Sequence, residues 1–452
     1  MKFKHILLFF FILLSLFILP YYCNIISSIE IKAVITICFI ICYIFVILEE
    51  IIHIKKSVIT IFFSSVMLLL LMLSKSVSHI YVNSILNNFL HVYCELFFFL
   101  FVAMIYINIL KNLFLFDFIK NKIVSKKISL KKIYIFTGVL SFLISPFADN
   151  LTTALIMSSI ILHINNDNKS FVNLSFINVV VASNAGGVFS PFGDITTLMI
   201  WQSGMIKFSS FFYLFFPSLI SFIIPSIIMS FFIRDVNSNV DVKIFVSYET
   251  SLSFDAKVVL SLFFLTILSA VFFQAYLNIS SVFGMMFGFS FLQIFLFLKN
   301  KNNFTLSSQV INIEWETLLF FYGIMLCVSA LDICGILKDL SYFLYNDFVF
   351  SSLYDKTFAN IFLGLISSIV DNIPITFIVL NMKISMSDGQ WLLLTYTLAT
   401  GGSLLSIGSA AGIALMGNKH YTFYSHFKWS WAILIGYFLG AFTHIIINKH
   451  FF

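Results

Sequence analysis

Charge is what this chain has least of. Asp, Glu, Lys and Arg make up 10% of its 452 residues, where a soluble domain carries roughly 25%. That is too little ionic surface to cover a globular fold of this length. No stretch has the polarity of a separate soluble domain, and the longest polar loop, about 234–257, is too short to fold alone. The six cysteines form no CxxC pair and lie mainly in or beside apolar runs. They read as small apolar fillers, which argues against a disulfide or metal framework. The net charge of +6 does not point to nucleic acid. Lys111, Lys120, Lys122, Lys126, Lys127, Lys131 and Lys132 crowd one segment between apolar runs, with no interleaved aromatic platform. Such clusters mark cytoplasmic loops. Nothing in the sequence asks for a cofactor.

Apolar residues fill the rest: 60% of the chain is hydrophobic and the mean hydropathy is +1.03. Runs of about 20 apolar residues, each long enough to cross the hydrocarbon of a bilayer, recur from end to end. The pattern predicts an all-α polytopic membrane protein with about 11 transmembrane helices, roughly at 4–23, 30–52, 57–74, 88–110, 171–204, 209–233, 257–277, 279–298, 314–332, 387–417 and 428–448. Two windows, 132–167 and 356–383, are too long for one helix and too short for two spans. Each carries a proline and an aspartate near its middle, so each predicts a re-entrant hairpin. The first run follows Lys2 and Lys4 but no small-x-small cleavage site, which predicts an uncleaved N-terminal helix within 1–29. With the N-terminus cytoplasmic, the lysine-rich loops fall inside, as expected for a multi-pass protein of a bacterial inner membrane.

Self-comparison adds a repeat. Asp149-Asn150 matches Asp371-Asn372, each near a predicted hairpin tip. Gly186-Gly187 then Gly193-Asp194 matches Gly401-Gly402 then Gly408-Ser409 at the same spacing. Glu95 before Leu96-Phe97-Phe98 resembles Glu316 before Leu318-Leu319-Phe320-Phe321. The halves are 30–233 and 257–448, joined by a cytoplasmic loop at 234–256, and the predicted topology inverts one against the other. Inverted repeats with interrupted hydrophobic segments are the mark of secondary transporters, whose site lies at mid-membrane.

Four carboxylates stand alone in uncharged windows: Glu95, Asp149, Asp194 and Asp371. Each costs about 2.5–3.5 kcal/mol at a helix centre, so such residues usually face a cavity and act in transport. Gly186, Gly187, Pro191 and Gly193 break the helix around Asn184-Ala-Gly-Gly-Val-Phe-Ser-Pro-Phe-Gly-Asp-Ile-Thr-Thr197. Backbone carbonyls freed there, with Asn184, Asp194, Thr196 and Thr197, are hard oxygen ligands for a hard cation. Ser145, Asp149 and Asn150 supply a similar set from the first hairpin, and Ser403, Ser406 and Ser409 a less acidic one from the second half. Positive half-helix starts could suit an anion instead, so cation and anion transport both stay open at this point. Coupling a cation to protons needs a carboxylate that holds either but not both, and Asp149 and Asp194 are the first candidates. Glu95 could relay protons, with His91 one turn away.

At these motifs the sequence resembles the NhaD-type sodium/proton antiporters of the ion transporter superfamily. The resemblance lies in Ser145-Pro-Phe-Ala-Asp-Asn-Leu-Thr-Thr, the Asn184–Thr197 segment, Asp371-Asn-Ile-Pro, Glu314-Trp-Glu-Thr-Leu-Leu-Phe-Phe-Tyr-Gly and Thr400-Gly-Gly-Ser-Leu-Leu-Ser-Ile-Gly-Ser, and covers roughly 90–420. Phe189 departs from it, where a Trp or another bulky residue is expected. The resemblance implies exchange of cytoplasmic Na⁺ or Li⁺ for external protons, and no enzyme activity. It implies an ion path through Asp149, Asn150, Asn184, Asp194, Thr196 and Thr197, supported by Glu95, Ser145, Asp371, Asn372, Ser403, Ser406 and Ser409. Partners are then sodium, protons and the lipid bilayer, with a homodimer left open. A superfamily member moving arsenite or a dicarboxylate is the alternative, though lone acids would repel a dianion. An intramembrane aspartyl protease is more remote: Phe192-Gly193-Asp194 follows Pro191, so no Gly-x-Gly-Asp motif forms.

Overall fold

The computed structural model describes residues 28–74, 78–124, 129–164, 168–233, 252–299, 306–347, 355–416 and 418–452. The predicted helix at 4–23 and residues 234–251 of the predicted loop lie outside them. The described chain is helical, and no strand occurs among the described residues. In chain order the helices are α1 (Ser28–Ile47), α2 (Glu49–Ile52), α3 (Lys56–Leu73), α4 (His79–Asn112), α5 (Leu115–Val124), α6 (Leu130–Ala148), α7 (Asn150–Ile164), α8 (Lys169–Gly187), α9 (Ile195–Gln202) and α10 (Phe215–Ser230). There follow α11 (Phe254–Tyr276), α12 (Ser281–Leu298), α13 (Leu306–Ile311), α14 (Trp315–Ile333), α15 (Ile336–Tyr342), α16 (Asp355–Ile366), α17 (Asn372–Asn381), α18 (Asp388–Gly401), α19 (Ala410–Met416), α20 (Phe423–Phe427) and α21 (Ser430–Ile447).

Among the described residues eight helical stretches are long and apolar enough to span a bilayer. Seven match expected spans. The segments 171–204 and 387–417 are each divided at their glycines, into α8 and α9 and into α18 and α19, and 30–52 is covered by α1 as far as Ile47. The eighth is α6: the window expected as a hairpin holds a 19-residue helix, long enough to cross alone, followed after Asp149 by α7. The window 356–383 is likewise two helices, α16 and α17, parted at 367–371.

The chain forms two compact units. One comprises residues up to Cys94, Glu314–Phe348 and Phe377–Ile384. Its centre is the packing of α3 on α14, where Gly323 lies against Thr60 and the Cys327 thiol reaches the Thr60 carbonyl at 3.8 Å. Glu316 lies exposed in the first turn of α14, paired with Lys55 at 3.0 Å, whereas Glu95 lies half-buried well inside α4. The two glutamates that align in sequence therefore occupy different settings.

The other unit comprises Glu95–Ile313, Val349–Thr376 and Ser385–Phe452. The broken helices form its interior. α8 is buried along nearly its whole length, packed between α6, α7 and α10, and α18 is buried in the same way against α16 and α21. A helix apolar or small on every face belongs inside a bundle, and this accounts for the weak amphipathicity of Phe176–Gly187 and Trp391–Gly401.

Candidate functional site

The two halves of this unit build the same local structure twice. Gly186 sits against the backbone of Phe142, and Gly401 against that of Gly364; the partners precede Asp149 and Asp371 by the same interval. Ser145 Oγ donates to the Ser183 carbonyl at 2.6 Å, and Ser367 Oγ to that of Leu398 at 2.8 Å. At the first break a side chain on Gly187 would place its Cβ 2.5 Å from the Gly193 carbonyl oxygen. At the second, a Cβ on Gly402 would be 2.7 Å from that of Gly408. Only glycine permits the chain to fold back on itself this closely.

After each break a polar residue starts the next helix. Asp194 Oδ1 accepts from Thr196 N at 3.3 Å, capping α9, and the Thr197 hydroxyl donates to the Asp194 carbonyl at 2.6 Å. Ser409 Oγ accepts from Gly412 N at 3.3 Å at the start of α19. Capping satisfies N–H groups that a helix start leaves without partners. Asp149, with a left-handed φ of 54°, does the same for α7: its carboxylate accepts from Thr152 N at 2.7 Å and from the Thr152 hydroxyl at 2.9 Å. Asp371 immediately precedes α17.

These helix starts are tied together by side-chain amides. Asn372 Nδ2 donates to Asp194 Oδ2 at 2.9 Å. Asn150 Nδ2 donates to Asn184 Oδ1 at 2.8 Å, and Asn184 Nδ2 donates to Ser409 Oγ at 3.0 Å. Each Asp-Asn asparagine thus reaches the break of the opposite half, Asn372 directly and Asn150 through Asn184. The two branches meet on α8, where Gly187, one turn beyond Asn184, lies against Gly193 and the side chain of Asp194. Asp194 is 3% exposed and Asp371 8%, and Asn372, whose amide holds Asp194, directly follows Asp371. Thr196 Oγ1 is fully buried without a hydrogen-bond partner among the described residues. A buried hydroxyl in this state has hydrogen-bonding capacity to spare.

The structure therefore brings together Asn150, Asn184, Asp194, Thr196, Thr197, Asn372 and Ser409, with Asp371 beside them. Asp149 joins through Asn150, but it is half-buried and caps a helix. Ser145 braces α6 on α8. Ser403 Oγ turns to the Thr400 carbonyl at 2.6 Å, and Ser406 Oγ to Met416 Sδ at 3.1 Å. Glu95 lies one turn before Phe99, whose ring stacks on Phe192 in the first break at 5.4 Å. One residue carried no sequence signal: His426, fully buried, donates or accepts through Nδ1 with the Tyr421 hydroxyl at 2.7 Å, and its Nε2 lies 2.9 Å from the Ser403 carbonyl in the second break. It stands in a run of aromatic residues beyond that break, close to a loop.

The arrangement offers buried oxygen atoms, two buried carboxylates and an amide donor that fixes one of them, Asp194. That set suits a small hard cation exchanging with a proton. Comparison with known proteins bears on which. A family model described as "Citrate transporter" matches residues 6–401. A protein named Na(+)/H(+) antiporter NhaD from Alkalimonas amylolytica is 40% identical over 447 residues, covering 92% of this chain and 90% of that protein. Proteins of the same name from Vibrio parahaemolyticus and Vibrio cholerae are 43% identical over 375 residues and 39% identical over 452. Those matches cover 76% and 92% of this chain, and 88% and 91% of the relatives.

Proposed function

From the premise that the chain belongs to this transporter family, and within it to the NhaD antiporters, we propose that it exports cytoplasmic Na⁺ or Li⁺ in exchange for external protons across a bacterial inner membrane. The protein is a multi-pass transporter and not an enzyme. Residues 30–233 and 257–448 form inverted repeats around the site, and the loop that joins them is cytoplasmic.

The observation that supports the proposal is that two buried carboxylates, Asp194 and Asp371, stand at the starts of half-helices, with Asn372, the neighbour of Asp371, holding Asp194. Each helix start contributes roughly +0.5 of an elementary charge. Four such starts, at α7, α9, α17 and α19, amount to about +2. Asp149, Asp194 and Asp371 outweigh them when ionised, leaving a deficit that one monovalent cation, or a proton, can fill. Thr196 Oγ1, Asn184, Asn150, Thr197 and Ser409 complete the oxygen-rich surround, with Ser145, Ser403, Ser406 and Glu95 supporting it. Binding the cation stabilises the ionised pair; a proton on either carboxylate removes the charge the cation needs. Mutual exclusion of the two ligands at one site is what makes exchange obligatory.

The family model's printed description raises citrate as a second reading. A tricarboxylate would meet Asp194 and Asp371 with like charge, and nothing cationic stands beside them in the network described above. The cation reading is therefore favoured.

The test is dissipation of ΔpH in everted membrane vesicles on addition of Na⁺, Li⁺ or K⁺. Dissipation with Na⁺ or Li⁺ that vanishes in Asp194→Asn is the expected result. Folded protein that answers none of the three ions removes the antiport reading.

A further inference from the structure

A groove of about 650 Å³ opens over the second break, within the size range of roughly 300–1,000 Å³ that small ligands occupy. Its walls include Leu365 at the end of α16, Leu404 and Leu405 in the break, and Trp431 and Leu434 on α21. Two serines also line it, but neither hydroxyl proton is available: Ser368 Oγ donates to the Leu365 carbonyl at 2.7 Å and Ser430 Oγ to that of Leu404 at 2.6 Å. The interior therefore asks for an apolar occupant. The residues that line it include one ion, Lys428, and no carboxylate. Around Lys428 stand Tyr424, Phe427 and Trp431, at 77%, 55% and 51% exposure. Aromatic rings beside a lysine at the edge of apolar surface match the level of lipid headgroups.

We propose that this groove binds an anionic phospholipid, one acyl chain lying along Leu404, Leu405 and Leu434 and the phosphate paired with Lys428. Charge complementarity selects the headgroup, and the apolar walls select the chain. A lipid seated there touches the second break a few residues before Ser409, and Ser368 three residues before Asp371. It would therefore bear on the elements that frame the site. The proposal concerns binding alone and stands whether or not the ion assignment holds.

The experiment is native mass spectrometry of the full-length protein, delipidated and then given phosphatidylglycerol or phosphatidylcholine of the same chains. Phosphatidylglycerol should be retained about fivefold more strongly, the preference one lysine confers on an anionic surface. Lys428→Gln should remove the preference and keep residual binding of both lipids. Leu434→Trp, which fills the groove from α21, should weaken both. Equal retention of the two lipids by the unaltered protein overturns the proposal, as does a preference that survives Lys428→Gln. Glycerol phosphate without acyl chains binding as well as the lipid would assign the site to a free phosphate. A dimer that persists after delipidation and excludes lipid would assign the face to a second copy. Either result also overturns the proposal.

Discussion

Asn372 Nδ2 stands 2.9 Å from Oδ2 of Asp194, so the asparagine that opens α17 holds the carboxylate that opens α9. The two residues are far apart in sequence and come from opposite halves of the chain. A hydrogen bond to an ionised group contributes about 1.5–3 kcal/mol. Asn372→Ala should therefore raise the Na⁺ concentration for half-maximal ΔpH dissipation by about tenfold or more. An unchanged Na⁺ response would mean that this bond does not position the ion's ligand.

Asp149 and Asp194 both cap helices, and asparagine keeps a capping oxygen. Asp149→Asn and Asp194→Asn should therefore reach the membrane at normal levels while exchange is abolished. Asp194 and Asp371 are the more buried pair, and Asp371→Asn should impair exchange as well. The measurements are membrane abundance by immunoblot and Na⁺-driven ΔpH dissipation on the same vesicles. Full exchange by Asp149→Asn would assign Asp149 to capping alone.

The close approach of Gly187 to Gly193 and of Gly402 to Gly408 predicts matched outcomes. A methyl group at either first glycine meets backbone, which cannot turn aside as a side chain can. Gly187→Ala and Gly402→Ala should each lose about 1–3 kcal/mol of stability, read as a lowered Tm of the detergent-solubilised protein. If only one of the pair is sensitive, the two breaks do not share a construction.

Much of this was legible in the sequence because apolar runs and ordered Asp-Asn and Gly-Gly patterns follow directly from membrane physics. The interrupted helices around 188–194 and 402–409 appear where glycine and proline announce them. What stayed hidden was partnership. Asn372 reads in sequence as a supporting residue, and only the folded structure shows that its amide reaches Asp194. Asn184 reads as one ligand among several, yet its two amide ends join Asn150 to Ser409. His426 had no signal, since a satisfied buried histidine and an interfacial one look alike in sequence. Glu316 aligns with Glu95 through nearby Phe and Leu, residues abundant throughout this chain, yet the two glutamates differ in setting. In the structure Glu316 forms an exposed pair with Lys55. Such pairs contribute about 0–1 kcal/mol, so Glu316→Gln should leave both Tm and exchange nearly unchanged.

The bridging role of Asn184 makes a prediction that single substitutions cannot test. Asn184→Ala removes the acceptor for Asn150 and the donor for Ser409 together. If the three side chains act as one chain of hydrogen bonds, Asn150→Ala or Ser409→Ala in that background removes nothing further. The double substitutions Asn150→Ala/Asn184→Ala and Asn184→Ala/Ser409→Ala should then impair Na⁺ affinity little more than Asn184→Ala alone. Coupling of this kind ordinarily lies between about 0.5 and 3 kcal/mol for residues in direct contact. By contrast, Asn372→Ala acts on the Asp194 branch and should add its own loss to that of Asn184→Ala. Na⁺ titrations of ΔpH dissipation on these variants read both results at once. Strict additivity across Asn150, Asn184 and Ser409 would show that each contacts the ion path separately, and the amide chain would then be scaffolding with no part in holding the cation.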